Sequence, residues 1–358
     1  MKVETPKVRT RVTKSRPIGP ASLASTPGKD RRRAPRATGA KRVLVTGASG
    51  FVGANLVRRL LDDGHEVHAL LRPGYQAWRL EDLRSRLCRH EVQLLDAPAL
   101  REVVADIGPH WVFHLAAYGG YPEQVQHEQM VKTNILGTMN LVEECTRVGF
   151  EAFVNTGSSS EYGLKDHAPS ETEALEPNSH YAVTKAAATL FCQHVGRTRG
   201  LPIVTLRLYS VFGPFEEPSR FVPSLVLRGL AASLPPLVSP DTARDFVYVD
   251  DVVEAFILAA NQPHREPGAI YNVGSGVQTT IGEAVALACR ELGMTVRPQW
   301  GSMAPRTWDT TIWVANTGKI REVLGWHPQV SFAEGFSLTV EWFRHNWPLP
   351  GFGGACDP

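Results

Sequence analysis

Tyr181 and Lys185 stand four residues apart in a stretch of helical character, Tyr181-Ala182-Val183-Thr184-Lys185. On a helix that spacing puts both side chains on one face, one turn apart. A phenol holds its proton at a pKa near ~10, too tightly for proton transfer near pH 7. Lowering it by about three units takes roughly 4 kcal/mol. One ammonium about 4 Å away, at an effective dielectric near ~20, supplies that order of energy. The pair therefore has the makings of a proton shuttle. The same spacing is common in helices that do no chemistry, so the reading needs a second signature.

That signature lies far upstream. Arg42-Val-Leu-Val-Thr46 is a short β-branched run that reads as a buried strand, and Ala54 to Asp63 reads as a helix stopped by Gly64. Between them stands Gly47-Ala-Ser-Gly50-Phe-Val-Gly53, a G-x-x-G-x-x-G turn. Glycines let a pyrophosphate approach the backbone, and the helix N-terminus offers it unpaired N–H groups. Gly47, Ser49, Gly50, Phe51, Val52 and Gly53 are thus candidate dinucleotide contacts. The next strand, Glu66 to Leu71, ends in Arg72-Pro73, where an acid commonly holds the adenosine ribose. An arginine there can pair with a 2′-phosphate. This favours NADP(H) as cofactor, with NAD as the alternative.

Strands and helices then alternate. Strands are expected at Val92–Leu95, Trp111–His114, Ala152–Thr156 and Ile203–Leu208. Helices are expected at Ala99–Asp106, Pro122–Val148 and Ser179–Arg197. Alternation of this kind implies an α/β fold, a Rossmann-type doubly wound parallel sheet. The expected dinucleotide-binding domain covers 41–213, with returning segments near 244–273. After Pro214 the pattern loosens. Arg220–Leu230 looks helical, and Arg244–Asp251 reads as a short strand running into a helix cap. Ala269–Val273, Thr280–Leu292, Lys319–Leu324 and Ala333–Trp347 follow. These elements look too few and interrupted for a second large core, and 214–348 is expected to form mainly a small substrate-binding lid. Residues 349–358 read as a C-terminal tail.

The formal net charge of the 358 residues is +2, but residues 1–40 alone carry +9 and the remainder −7. That leader, rich in Arg, Ser and Pro and poor in large apolar groups, reads as a disordered tail. Its prolines oppose the amphipathic helix of a transit peptide. A net-acidic body does not suggest nucleic-acid binding. No apolar run is long enough for a membrane span, and no apolar signal core opens the chain. Cys88, Cys145, Cys192, Cys289 and Cys356 are scattered without C-x-x-C spacing. This suits free thiols in the cytoplasm and argues against a structural zinc site, so no metal is expected.

With these signatures in place, the chain resembles the extended short-chain dehydrogenase/reductase family, in particular its NAD(P)-dependent nucleotide-sugar epimerases, dehydratases and reductases. The resemblance spans roughly Arg42 to Trp347. It rests on Val45–Gly53, Phe113-His-Leu-Ala-Ala117, Asn134, Gly157–Gly163, Tyr181–Lys185, Arg207–Pro214 and Arg244–Asp251, in that order. It implies Tyr181 as acid/base and Lys185 as the group that lowers its pKa and holds the nicotinamide ribose. Ser158, four before Tyr162, would bond the reacting sugar oxygen, with Thr156 as the substitute if the loop register differs. Leu115 and Ala116 would touch the cofactor, and Asn134 would sit in a relay and structural network. Tyr118, Ser159, Ser160, Ser210, Arg244, Arg306 and Asp309 would contact a nucleotide-sugar substrate, the arginines gripping its diphosphate. A homodimer through the two long helices is a further implication.

The sequence departs from the family at defined points. The 4,6-dehydratases carry acids three and two positions before the Y-G tyrosine; here these are Ser159 and Ser160, and Glu161 is shifted by one. Loss of water needs a general acid at the leaving hydroxyl, so dehydration is disfavoured. Ser210 replaces an asparagine, and Gln93 stands near where an acid often meets the adenine. The expectation is hydride transfer at the hexose, at C4, by an epimerase or a ketoreductase. The alternatives are a 4,6-dehydratase and a non-catalytic NAD(P)-binding regulator.

Overall fold

The computed structural model describes residues 39–75, 78–121, 123–262, 266–306 and 308–348. The expectations for the basic leader up to residue 38 and for 349–358 lie outside the described residues, as does Pro122.

The apolar run after Lys41 forms strand β1, Arg42–Thr46, followed by helix α1, Phe51–Asp62. Strand β2, Glu66–Leu71, pairs parallel to β1, and β3, Cys88–Glu91, pairs parallel to β2. On the other side of β1 lie β4 (Trp111–His114), β5 (Ala152–Ser158) and β6 (Ile203–Leu208), with Ala269–Val273 at the far edge. The seven strands are all parallel, and the order reverses between β1 and β4. Such a reversal opens a crevice at the carboxyl ends of the strands, where ligands settle in sheets of this kind.

Each face of the sheet buries its own cluster. One holds Val43, Val45 and Phe113 against α1 and the helix Val249–Asn261. The other holds Leu44, Val112 and Phe153 against Ala97–Ile107, Gly137–Val148 and His180–Arg199. A third, aromatic-rich cluster joins Phe212, Phe246, Tyr248, Phe336 and Phe343 with helices Phe221–Leu230 and Ile281–Leu292. The segment after Pro214, expected as a small lid without a second large core, supplies most of this third cluster. Its elements are short, but they converge from four separate stretches. Phe51, in the glycine turn, packs into that third core and ties it to the sheet.

Four boundaries differ from the sequence pattern. The third strand is the polar Cys-Arg-His-Glu of 88–91, not Val92–Leu95. An edge strand needs little apolar content, whereas Val92–Leu95 run past the sheet along the cleft. The expected Pro122–Val148 helix starts at His127 and contains a π-helical stretch, Val131–Leu136. Val249–Asn261, of which only the cap was read, is a full helix, apolar nearly all round because it is enclosed between α1 and the sheet. Gly318–Leu324, within the expected lid range, packs Ile320 and Leu324 into the first sheet core. Among the described residues no helix is long and apolar enough to cross a membrane.

Candidate active site

A cleft of about 1160 Å³ opens at the carboxyl ends of the strands, between the sheet and the third core. All the residues proposed from sequence for catalysis, cofactor and substrate line it.

On the sheet side, the chain leaves β1 through Gly47 at φ +67, and Gly50 N–H donates to the Gly47 carbonyl at 3.0 Å. A Cβ at Gly47 would lie 2.5 Å from the Ala116 nitrogen, and one at Gly53 would lie 2.2 Å from the Gly47 oxygen. Only glycine closes this turn. The N-terminus of α1 has no side-chain cap, so its first-turn N–H groups face the cleft. This cradle fits a dinucleotide pyrophosphate. Thr46 Oγ1 accepts from Ala116 N–H at 3.3 Å and meets His114 Nδ1 at 2.7 Å. His114 Nε2 in turn meets Thr138 Oγ1 at 2.8 Å. Burial, with Lys185 nearby, pulls His114 down to about 3, so it stays neutral. This network, which sequence reading did not single out, fixes Leu115 and Ala116 against the turn. At the outer end Arg72 is exposed, with its guanidinium 5.3 Å from the centre of the Tyr75 ring.

The central wall carries the chemistry. Ser158 ends β5 and caps the 3-10 turn Ser159–Tyr162 in a capping box with Glu161. Its hydroxyl lies 2.7 Å from that of Ser160, and it lines the cleft with the Tyr181 phenol, on whose pKa it acts. Tyr181 sits in the first turn of His180–Arg199, where the Ser179 side chain accepts from Ala182 N–H at 3.1 Å. Thr156 Oγ1 is buried without a hydrogen-bond partner, so Ser158 is the hydroxyl that acts on Tyr181. Lys185 is buried one turn on and donates to the Thr156 carbonyl.

The electrostatics differ from the sequence expectation. Burial pushes the Tyr181 phenol up to about 12, only partly opposed by Ser158. Burial also lowers Lys185, with Glu161 opposing. The lysine's ammonium is engaged by the Thr156 carbonyl, and desolvation of the phenol prevails. Glu161 is fully buried and points away from the cleft. Its carboxylate takes Arg207 Nε at 2.8 Å, Thr189 Oγ1 at 2.9 Å and Ser158 N–H at 2.8 Å. Asn134 is also buried, and its amide bridges Tyr118 N–H, Tyr118 C=O and Thr184 Oγ1 at 2.8 to 2.9 Å.

On the opposite wall, Asp309 Oδ1 accepts from Arg244 Nη2 at 2.7 Å and its Oδ2 from Arg306 N–H at 2.9 Å. One carboxylate thus sets two arginines at the cleft mouth, and the Arg306 side chain is left exposed. Ser210 is held by its N–H on the Asp245 carbonyl at 3.0 Å. Tyr121, Glu216 and Arg220 also line the cleft and were not read from sequence. The Glu216/Arg220 spacing was the available signal. Their ion pair, at 3.8 Å, is loose.

The profile of the NAD dependent epimerase/dehydratase family matches residues 43–274. The chain belongs to this family, among the extended short-chain dehydrogenases/reductases that act on nucleotide sugars. UDP-glucose 4-epimerase of Mycolicibacterium smegmatis is 33% identical over 316 residues, covering 85% of this chain and 99% of the relative. The crystal structure of UDP-glucose 4-epimerase from Thermotoga maritima with UDP-glucose superposes at TM-score 0.77, with 29% identity over 85% of this chain and 99% of that one. DesIV, a dTDP-glucose 4,6-dehydratase from Streptomyces venezuelae, was solved as a double mutant with NAD and DAU. It superposes at TM-score 0.76, with 29% identity over 85% of this chain and 97% of that one.

Proposed function

We propose that this protein is a nucleotide-sugar 4-epimerase that transfers hydride at C4 of the hexose, with Tyr181 as acid/base. The observation that carries the choice over dehydration is the wall beside Ser158. Ser159 and Ser160 line the cleft, while the adjacent acid, Glu161, is locked to Arg207 on the far side. The epimerase relative at 33% identity supports the same choice.

The bound nicotinamide supplies the hydride acceptor and donor. The chain does the rest. Ser158 holds the sugar oxygen while Tyr181 removes and later returns its proton. With its phenol as high as about 12, Tyr181 is a proton donor at rest. To act as base it needs added positive charge, and Lys185, one turn away, provides it on exchanging its contact with the Thr156 carbonyl. Arg244, oriented by Asp309, and Arg306 grip the diphosphate. The cofactor is NADP(H) in this reading, because exposed Arg72 occupies the end of β2 where an acid would serve NAD; DesIV was solved with NAD. Arg72 also favours the second reading, a 4-ketoreductase, since reductases draw on the reduced phosphate form.

A homodimer belongs to the same proposal. Val131, Leu136 and Met139 on one helical stretch and Val183 and Leu190 on the other are large, apolar and exposed, a surface suited to self-association. Cytoplasmic residence is consistent with free Cys88, Cys145, Cys192 and Cys289.

The test is incubation with UDP-, dTDP-, GDP- and CDP-hexoses and their 4-keto forms, following product stereochemistry by NMR and nicotinamide absorbance. A C4 epimer without net cofactor change is the expected result. Stoichiometric consumption of NADPH on a keto sugar selects the reductase, and a 4-keto-6-deoxy product overturns the proposal.

A further inference from the structure

At the opposite end of the sheet from the cleft, strands β2 and β3 bring together side chains that the proposed reaction does not use. Glu66 and His68 alternate along β2 and so share a face, as do Cys88 and His90 on β3. The register sets His68 beside Cys88. The shared face is the one on which Leu70 packs with Leu100 and Val104 of the helix Ala97–Ile107. One carboxylate oxygen of Glu66, one ring nitrogen of His68 and Sγ of Cys88 lie within 4.8 Å of one another. His68 is mostly buried, whereas Glu66 and Cys88 are exposed.

We propose that Glu66, His68 and Cys88 form a site for a divalent transition-metal ion of the zinc class, with His90 supporting the His68 ligand from behind. The proposal is independent of the catalytic reading.

The donor set selects the ion. Thiolate and imidazole suit zinc and its neighbours and do not suit Mg²⁺ or Ca²⁺. Zinc takes S, N and O donors at about 2.0–2.3 Å, which places them roughly 3.5 Å apart on a tetrahedron. The donors, within 4.8 Å of one another, need to draw in by about 1 Å, and two of them are on exposed side chains. A carboxylate, a thiolate and a neutral imidazole leave the divalent complex uncharged, and the fourth position faces solvent.

The histidine pair is arranged for either state. His68 Nδ1 lies 3.0 Å from His90 Nε2, and His68 Nε2 lies 3.2 Å from Glu66 Oε1. Without an ion, Nε2–H donates to Glu66 and Nδ1 accepts from His90. With one, both rings carry their proton on Nδ1, so that His68 Nδ1–H donates to the bare Nε2 of His90, while His68 Nε2 and the carboxylate turn their lone pairs on the metal. A ligating histidine is commonly held by such a bond from its other nitrogen. The ion would clamp β3, the edge strand of the sheet, to β2.

The test uses full-length, tag-free protein stripped with chelator and titrated with Co²⁺, then Zn²⁺. One Co²⁺ per chain is expected, with a thiolate-to-cobalt charge-transfer band that Zn²⁺ abolishes. Cys88→Ser removes the band and lowers affinity at least tenfold. His90→Gln keeps the band and lowers affinity about 10- to 100-fold. In ¹⁵N-edited spectra, Zn²⁺ moves the His68 proton from Nε2 to Nδ1. Circular dichroism of the metal-free Cys88→Ser and Glu66→Gln variants checks that these exposed substitutions leave the fold intact. Absence of stoichiometric uptake, or a band and affinity unchanged in Cys88→Ser, overturns the proposal.

Discussion

The two walls of the cleft are built by different means. The sheet wall is mostly backbone: a glycine turn and the open end of α1, set by residues close together in sequence, with the loop after β4 tied to them through the Thr46 side chain. The opposite wall presents side chains: Arg244 and Asp309 are 65 residues apart and join through their ion pair, beside a backbone bond from Ala243 N–H to the Thr310 carbonyl. A wall of backbone is rigid and indifferent to the ligand's identity beyond its phosphates. A wall of paired side chains can be retuned by single substitutions. This division suggests that a common redox chemistry is held on one side while the substrate is chosen on the other.

The largest expected effect comes where the two walls meet. Tyr181→Phe should lower kcat by about 10²- to 10⁴-fold, the usual worth of a positioned acid/base, and leave dinucleotide affinity unchanged in a binding titration. Unchanged turnover would remove Tyr181 from the mechanism and leave the walls without a shared centre.

Next is the support beneath the sheet wall. Arg207 and Glu161 are both essentially inaccessible to solvent. Arg207→Leu strands the carboxylate, and a loss of roughly 3–5 kcal/mol in unfolding stability is expected by denaturant titration. Because Glu161 also holds the Ser158 N–H, turnover should fall even where the variant stays folded.

Glu216 belongs to the side-chain wall and is poorly satisfied. Its Oε2 is buried without a partner, and burial raises its pKa from an ordinary carboxyl value to about 8. The folded chain keeps this proton where the unfolded chain has released it. Stability should therefore decline as pH rises from about 4.5 to about 8. Glu216→Gln is expected to flatten that decline and to stabilise the protein above pH 8, on the order of a few kcal/mol, in melts across the pH range.

The smallest effect sharpens the comparison most. Asp309→Asn loosens Arg244, and KM for the nucleotide sugar should rise about tenfold, or about 1.4 kcal/mol, with kcat nearly unchanged. A matching fall in kcat would show that the arginine wall acts on the reacting carbon as well as on the diphosphate.

The same division explains what could be read in advance. Strand, glycine turn and helix carry their signal within the 21 residues of Arg42–Asp62, and the order of βα units follows from alternating patterns. Two failures came where local pattern and tertiary role diverge. Cys88–Glu91 is a strand because β2 offers it a pairing edge, although its residues are polar. Tyr181 is not lowered as the Tyr/Lys spacing implied, because spacing reports proximity and says nothing of desolvation or of the carbonyl that Lys185 meets. The third core escaped notice because its aromatic residues come from segments that touch only once the chain has folded. Glu216 and Arg220 offered only an i,i+4 spacing, which is common on surfaces that bind nothing.

The π-helical stretch at Val131–Leu136 has a corollary for chain length. Such a turn holds one residue more than a regular α-helical turn over the same stretch. Removing any one residue there would restore a regular helix and rotate the upstream turns by about 100° relative to the downstream ones. Asn134, which clasps both the N–H and the C=O of Tyr118, would lose its grip. The register between Asn134 and Tyr118 therefore depends on the length of this helix to the single residue.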